Sequence, residues 1–355
     1  MKAAVLKAIG APLAVEDVAD PVLGTGEVIV DIAATRIIPY MNEVLDGRRA
    51  YLIKTPMIPG VGAIGRVSAT GPDVTKLKVG DWVYCDPTIR ARDDAVSPDI
   101  ILQGLTAGSP QAAPLQEYHH DGSFAERMRT PTENVTRLGE IAADEAPAWC
   151  ALGTSLVAFG GLLAGGLQPG ETVLVSGATG NFGSAGVAVA LAMGAAFVVT
   201  PGRNRAMLDM LSRRFGSRVR TVELTGEEAE DVARMKGAAG GAVDLVLDLM
   251  PPLPNAAPAR AAALSVRPNG RVVLMGGVRA DIALPYDWLM RHSVTVRGQW
   301  MYPREAPARL MALVRAGLLD LAAFATTTFP LDEVNAALAF AAENGGPLRQ
   351  TVLQP

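Results

Sequence analysis

The stretch VLVSGATGNFG, residues 173–183, places three glycines at intervals of three directly after a run of β-forming residues. Glycine allows a tight turn and a close backbone approach to a pyrophosphate, whose charge then meets free N–H groups at a helix start. The next residues, SAGVAVALAMG, read as a helix, so the context of a dinucleotide site is present on both sides. A turn without a ligand is the alternative. The candidate contacts are Gly177, Thr179, Gly180, Asn181, Phe182 and Gly183.

The end of the next strand indicates which dinucleotide binds. NAD sites carry an acidic side chain about 20 residues after the glycine turn, on the ribose 2′-OH. Here that place reads VVTPGRNRA, and no carboxylate lies between Phe197 and Met207. An arginine holds a 2′-phosphate with parallel hydrogen bonds, which predicts NADP(H); two solvated charges at a helix start are the alternative. The predicted contacts are Gly202, Arg203, Asn204 and Arg205.

Size and composition limit the classes of protein. The chain has 355 residues, which predicts two domains, and a formal net charge of −4, which disfavours a nucleic-acid partner. Two cysteines, Cys85 and Cys150, form no metal-type pair and favour a reducing cytoplasm. Residues 147–170 are uncharged and near the length of a membrane span. The glycines and the polar Thr154 and Ser155 in this run favour a buried helix over a membrane interaction.

The pattern along the chain changes near residue 170. Before it, short strands alternate with Gly and Pro turn signals, which is typical of a β-rich domain. Within that part, residues 86–122 are polar and irregular, so we expect a functional loop or a separate lobe. After residue 170, continuously apolar strands alternate with helical stretches. This predicts an α/β fold with a doubly wound parallel sheet beside the β-rich domain.

Five motifs carry a resemblance that covers essentially the full length of the chain. They are VGDWV at 79–83, DGSFAE at 121–126, GATGNFG at 177–183, PNGRVVLMGG at 268–277 and FPLDEVNAAL at 329–338. With these motifs the chain resembles the medium-chain dehydrogenase/reductase superfamily. The resemblance implies a GroES-like catalytic domain at 1–150 and 301–355, and a Rossmann NADP(H)-binding domain at 151–300.

The resemblance also implies further contacts. Thr154 matches the position where relatives contact the nicotinamide, and Gly276 lies in the fourth motif and is assigned to the cofactor. Arg349 falls, with a register offset of one, where relatives place a basic residue against the pyrophosphate. A homodimer is implied through the edges of the Rossmann sheets, for which Ser293–Arg297 is the candidate strand.

The zinc ligands of the alcohol dehydrogenase branch are replaced in this chain. Ile38 stands at the first ligand position, and Val61 and Gly62 stand where that branch has His and Glu. Cys150 still matches a ligand position, but one thiolate cannot make the three-ligand site of a catalytic zinc. No metal is therefore expected, and the chain resembles the zinc-independent branch, which includes NADPH quinone oxidoreductases and enoyl or enone reductases.

Three side chains are candidates to donate a proton or a hydrogen bond to the substrate. Tyr40 and Tyr51 flank the segment that forms part of the active site in relatives, and interior phenols with local partners are the alternative. His120, beside His119, has a titration range suited to general acid catalysis, with simple exposure as the alternative. The residues after the last sheet strand, 300–302, favour an apolar or aromatic substrate.

The function predicted from these residues is hydride transfer from NADPH to an activated C=C bond or a quinone. Two other functions remain open. The first is oxidation or reduction between an alcohol and a carbonyl compound without zinc. The second is a structural or sensor protein that binds NADPH without catalysis.

Overall fold

The computed structural model describes residues 1–241 and 243–355, which cluster into two compact units. The first unit comprises Met1–Gly153, Leu321–Gly345 and Arg349–Pro355. The second unit comprises Thr154–Asp320 and Gly346–Leu348.

The strands of the described residues are, in chain order, β1 Lys2–Val5, β2 Ala14–Asp17, β3 Glu27–Ile37, β4 Ala63–Thr70, β5 Trp82–Cys85, β6 Thr88–Arg90, β7 Ile100–Leu102, β8 Thr106–Ala107, β9 Arg127–Pro131, β10 Val135–Arg137, β11 Thr172–Ser176, β12 Phe197–Gly202, β13 Val219–Glu223, β14 Leu245–Asp248, β15 Arg271–Leu274, β16 Thr295–Gly298, β17 Ala325–Pro330 and β18 Arg349–Gln354. The α-helices are α1 Met41–Leu45, α2 Ala113–Tyr118, α3 Ala146–Trp149, α4 Ala151–Ala164, α5 Asn181–Ala192, α6 Arg205–Phe215, α7 Glu228–Ala239, α8 Ala257–Leu264, α9 Tyr286–Arg291, α10 Ala306–Arg315 and α11 Val334–Asn344.

The first unit is built on a sheet in the order β10-β5-β4-β3-β18-β17, with β9 also paired to β3. The long strand β3 pairs antiparallel with β4, β9 and β18, and its alternating apolar residues Val28, Val30 and Ile32 enter the core. The β-rich character predicted for this part of the chain is confirmed.

For residues 86–122 a functional loop or a separate lobe was expected, and the segment forms a lobe with a small core of its own. The polar stretch 86–122 contains the small antiparallel sheet β6-β7-β8 and the helix α2, packed around a core that includes Ile89 and Ile101. These strands have two or three residues each, which is too short for a visible period of two. The next long strand of this unit, β9, begins at Arg127, because the backbone of Phe124 is bonded to Pro59 and Ala4.

The second unit contains the predicted doubly wound sheet. Its strand order is β13-β12-β11-β14-β15-β16, and every pairing is parallel. The chain order reverses between β11 and β14, and the crevice outside the carboxyl ends of the strands at such a reversal is where α/β sheets bind ligands. The predicted fold class is therefore confirmed.

Residues 301–320 cluster with the second unit, whereas the resemblance assigned them to the first domain. The reason is packing, since α10 buries Leu310 and Met311, and Tyr302 lies directly against Gly160 of α4. Glycine is required at 160, because a Cβ atom there would come within 2.7 Å of the Tyr302 Cβ.

The uncharged run of the sequence forms helix in this structure. Residues 143–164 form a helical stretch of sufficient length and apolarity to cross a membrane. However, 78% of its most apolar window is buried inside the protein, as expected for a core helix.

Candidate cofactor site and active site

The glycine turn joins β11 to α5 in a conformation that requires glycine. Gly177 has φ +79°, and the N–H of Gly180 donates to the Gly177 carbonyl at 2.9 Å. A Cβ atom on Gly183 would overlap that same carbonyl oxygen, so the first turn of α5 lies directly on the backbone of the loop. The spacing seen in the sequence therefore has a steric cause at two of its three glycines.

The start of α5 is suited to a phosphate. Gly180 is the residue before the helix, and as a glycine it carries no side chain that could cap it. A helix of this length places partial positive charge at its N-terminus, where anions bind. The glycines, which let a ligand approach the backbone, fit the pyrophosphate of a dinucleotide, with Thr179, Asn181 and Phe182 in the loop and first turn.

Leu348, which belongs to the second unit, lies against the same helix. The N–H of Leu348 donates to Ser184 Oγ at 2.8 Å, and that hydroxyl donates to the carbonyl of Asn181. Arg349 follows Leu348 directly and is exposed. Thr154, the other contact implied by the resemblance, is buried within α4.

The end of β12 contains an arrangement that the sequence did not reveal. Gly202 lies beside Thr179, while Asn204 caps α6 by accepting a hydrogen bond from the N–H of Met207 at 3.2 Å. Arg205 forms an ion pair with Glu223 at 3.2 Å. Glu223 is the residue that pairs with Gly202 across β12 and β13.

Arg203 is consequently the stronger candidate for a 2′-phosphate. Its side chain is exposed, and among the described residues it forms no ion pair. The charge of Arg205 is already balanced by Glu223. A carboxylate does lie near the end of β12, but it comes from the neighbouring strand.

Asp248, at the end of β14, is a buried carboxylate that the sequence analysis did not select. Burial raises its pKa to about 6, although hydrogen bonds from Ser176, Met250 and Gly276 oppose that rise. Gly276 must be glycine, because a Cβ atom there would overlap the carboxylate. Asp248 therefore connects the ends of β11, β14 and β15 at the edge where the strand order reverses. The sequence signal that could have identified Asp248 is an acidic residue at the end of the apolar run LVLD.

The raised pKa predicts that stability falls as the pH rises through about 6. The carboxyl is neutral in both states below its usual pKa of 3.8, and ionisation above that value is disfavoured only in the folded protein. Across this window the free energy of unfolding should fall by about 3 kcal/mol from this group. We expect Asp248→Asn to remove this fall, of which about 2 kcal/mol lies between pH 4.5 and 7.5, the two values at which urea unfolding of both proteins is measured. Parallel pH profiles of the two proteins would contradict the assignment.

The first unit brings the two predicted tyrosines together. Tyr40, directly before α1, shares a hydrogen bond with Tyr51, and the Arg49 guanidinium lies 3.9 Å from the centre of its ring. Arg49 is paired in turn with Glu43 at 2.7 Å. Burial and then the neighbouring Tyr51 raise the pKa of Tyr40. Tyr40 therefore stays neutral at physiological pH.

The histidines His119 and His120 also lie in the first unit. His120 contacts Asp121 Oδ1 through Nδ1 and the carbonyl of Lys54 through Nε2, each at 3.0 Å. The hydrogen bond to Asp121 raises its pKa. Both ring nitrogens are thus used in joining two loops, a geometry that favours a structural role over catalysis. Burial lowers the pKa of His119 to about 4, so that residue is neutral.

The residues at the positions of the zinc ligands do not fit a catalytic zinc. Ile38 and Val61 are buried hydrophobic residues, and Gly62 has no side chain. Cys150 donates its thiol to the carbonyl of Ala146, and burial raises its pKa to about 12, whereas zinc binds the thiolate. Among residues 1–241 and 243–355, no cluster of three His, Cys, Asp or Glu side chains is arranged to hold a metal.

Comparison with known proteins gives consistent matches. The family described as "Alcohol dehydrogenase GroES-like domain" matches residues 24–140, and the family "Zinc-binding dehydrogenase" matches residues 182–316. An alcohol dehydrogenase from Rhizobium meliloti (strain 1021) is 29% identical over 309 residues, 86% of this chain and 85% of that protein. An L-threonine 3-dehydrogenase from Yersinia pestis (strain Pestoides F) is 28% identical over 332 residues, 89% of each protein.

Solved structures share the fold. A structure described as a zinc-binding dehydrogenase from Sinorhizobium meliloti 1021 bound to NADP has a TM-score of 0.81 at 19% identity. The match covers 100% of this chain and 99% of that one. The two matched families, the curated relatives and the fold agree: this chain belongs to the medium-chain dehydrogenase/reductase superfamily of oxidoreductases.

Proposed function

We propose that this protein is a zinc-independent, NADPH-dependent reductase of activated C=C bonds or quinones. The observation that carries the proposal is the donor set of the first unit, in which Ile38, Val61 and Gly62 provide no ligand and Cys150 remains a neutral thiol. One matched family is described as zinc-binding, but this chain lacks the ligands that a catalytic zinc requires. Because the residues at these positions bind no zinc, hydrogen bonds and protein charges remain to polarise a substrate oxygen.

The cofactor is proposed from the second unit. The turn at Gly177–Gly183 and the start of α5 would hold the pyrophosphate, and Arg203 would hold the 2′-phosphate. The reduced nicotinamide supplies the hydride when it is bound. The chain binds and orients it and excludes water, while the neutral Tyr40 donates a hydrogen bond to the substrate oxygen.

The second candidate is reduction of a saturated aldehyde or ketone. It is favoured by the names of the relatives, which include alcohol and L-threonine 3-dehydrogenases. A non-catalytic NADPH-binding protein is the third candidate, and it predicts tight cofactor binding with no acceptor that oxidises NADPH.

The experiment that separates these functions follows the loss of NADPH absorbance with three acceptors in parallel. The acceptors are an apolar cyclic enone, a quinone, and the saturated ketone that matches the enone. The proposal expects turnover of the enone or the quinone and none of the ketone. Turnover of the ketone alone would establish the second candidate, carbonyl reduction. Tight NADPH binding without turnover of any acceptor would favour the third, a non-catalytic binding protein.

We also propose a homodimer in the reducing cytoplasm, formed through the sheet edge at β16. All four residues of β16 are exposed, and the strand ends the sheet order. The large apolar residues Tyr286 and Met290 of the preceding α9 are exposed as well. A strand edge with exposed apolar neighbours is a template for pairing with a second copy.

A substitution at this edge tests the dimer. We expect the unaltered protein to run as a dimer in size-exclusion chromatography with light scattering, and Val296→Asp to shift it toward the monomer. The buried charge would oppose pairing without disturbing the core, since Val296 is exposed in the single chain. A monomer for the unaltered protein at micromolar concentration would rule out this interface.

A further inference from the structure

Glu223 is an acidic residue beside the predicted position of the 2′-phosphate, and it has no role in the proposed function. It is the last residue of β13, and the parallel register sets it opposite Gly202, the last residue of β12. The pairing continues beyond β13, since the N–H of Leu224 donates to the Gly202 carbonyl at 3.0 Å. Adjacent strands lie about 4.8 Å apart, so the Glu223 carboxylate is within side-chain reach of the end of β12.

The end of β12 also borders the glycine turn. A Cβ atom on Gly202 would lie 2.8 Å from Thr179 Cγ2, so the two segments are in direct contact. In this fold the group on the ribose 2′ carbon is bound about 20 residues after the glycine turn, at the end of the next strand. Residues 197–207 contain no carboxylate at that place. Glu223 therefore supplies, from the neighbouring strand, the carboxylate that β12 lacks.

The carboxylate of Glu223 holds Arg205, the first residue of α6. Arg205 Nη1 donates to Glu223 Oε2 at 3.2 Å, and the two side chains are 76% and 50% exposed. An ion pair this exposed contributes little to stability, because water and salt screen it. A phosphate offers an arginine more negative charge and more acceptor oxygens than a carboxylate does. Arg205 can therefore exchange Glu223 for a 2′-phosphate at a small cost in free energy.

We infer that Glu223 is a specificity-determining residue, which lowers the preference for NADP(H) over NAD(H) by competing with the 2′-phosphate for Arg205. The inference rests on the proposed function and adds a control on its choice of cofactor. With NADP(H), Arg205 leaves Glu223 and joins Arg203 on the phosphate. With NAD(H), the ribose carries only a hydroxyl at this position, so the ion pair between Arg205 and Glu223 remains.

The first test compares Glu223→Gln with the unaltered protein in the binding of NADPH and NADH. The amide keeps the size of the side chain but releases Arg205, which gains a charge-assisted hydrogen bond to the phosphate. The affinity for NADPH should rise about 10-fold, and the affinity for NADH should change by less than about twofold. An unchanged ratio of the two dissociation constants would overturn the inference.

Glu230→Gln is the matched control. Glu230 is 50% exposed, as Glu223 is, and it forms an ion pair with Arg234 at 2.6 Å within α7. The substitution thus removes an equal charge from the same unit and keeps Arg234, whose Nη1 donates to the Glu223 carbonyl at 3.0 Å. Both dinucleotides should bind this variant as they bind the unaltered protein. An equal rise in NADPH affinity would overturn the inference, since any lost negative charge would then suffice.

The Arg205→Met background separates competition from direct repulsion. Repulsion between the Glu223 carboxylate and the phosphate acts whether or not Arg205 is present. Competition requires Arg205, so Glu223→Gln should raise the NADPH affinity more in the unaltered chain than in Arg205→Met. Equal gains in the two backgrounds would overturn the inference.

Two adenosine fragments separate this inference from the proposed function. Adenosine 2′,5′-bisphosphate carries the 2′-phosphate and 5′-AMP lacks it, and calorimetry measures the binding of both without an acceptor. Tighter binding of the bisphosphate to Glu223→Gln, with 5′-AMP unchanged, would support the inference even if NADPH reduces no acceptor. If Arg203→Met weakens binding of the bisphosphate and Glu223→Gln does not strengthen it, the predicted phosphate site stands and the inference is wrong.

Discussion

Replacing Gly183 by alanine should abolish NADPH binding at concentrations that saturate the unaltered protein, a loss of more than about 100-fold. The added methyl group would overlap the carbonyl of Gly177 and lie 2.8 Å from Ala178 Cα, and all of these are backbone atoms that no rotamer change can move. The turn must therefore open and α5 must shift from β11. Overpacking of this kind also destabilises the fold, by about 1–3 kcal/mol or more. Fluorescence titration with NADPH and thermal unfolding measure the two effects.

Gly180→Ala is the matched control for this prediction. Gly180 has an extended conformation, φ −93° and ψ 175°, and a Cβ atom there would meet only the Gly177 oxygen, at 3.3 Å. The loss of NADPH affinity should thus be much smaller than at 183. Equal effects at the two positions, or NADPH binding retained by Gly183→Ala, would show that the turn does not hold the pyrophosphate.

Arg203→Asp should reverse the preference between the two dinucleotides, lowering the affinity for NADPH about 100-fold relative to NADH. The substitution removes a charge-assisted contact to the 2′-phosphate and adds a charge that repels it. The same acid can accept a hydrogen bond from the 2′-OH of NADH, so NADH binding should be retained or improved. Dissociation constants for both cofactors, measured by fluorescence, give the ratio.

Arg205→Asp is the comparison that locates the phosphate. Because Glu223 already balances Arg205, its replacement should change the NADPH to NADH ratio less than Arg203→Asp does. An unchanged ratio in Arg203→Asp would mean that another residue holds the 2′-phosphate. A larger effect at 205 would assign the phosphate to Arg205 and require Glu223 to release it.

Local features of the cofactor region were predictable from sequence. The glycine turn lies between an apolar strand and a helix, so its neighbours in sequence are also its neighbours in space, and its steric requirement shows as glycine spacing. Glu223 could not be placed in this way. Its carboxylate reaches Arg205 because β13 pairs with β12, and that pairing follows from strand order, which periodicity does not reveal.

The first unit shows the same limit more strongly. Replacement of the zinc ligands at Ile38 and Val61 was readable position by position, since it concerns residue types. The packing of the Arg36 side chain on Gly153 could not be read from the sequence, because the two residues are distant in the chain and neither belongs to a motif. The pairing of Tyr40 with Tyr51 was only partly predictable, as the loop between them had to bring the phenols within hydrogen-bonding distance.

The central claim is reduction without zinc, and the most direct test is a metal analysis combined with an enone assay on one preparation. The protein is purified, dialysed against a chelator and analysed for zinc by mass spectrometry, and NADPH oxidation with the enone is measured before and after dialysis. The account predicts substoichiometric zinc and the same rate in both samples, with no increase when zinc is returned. A rate that disappears with the metal and returns with stoichiometric zinc would contradict it.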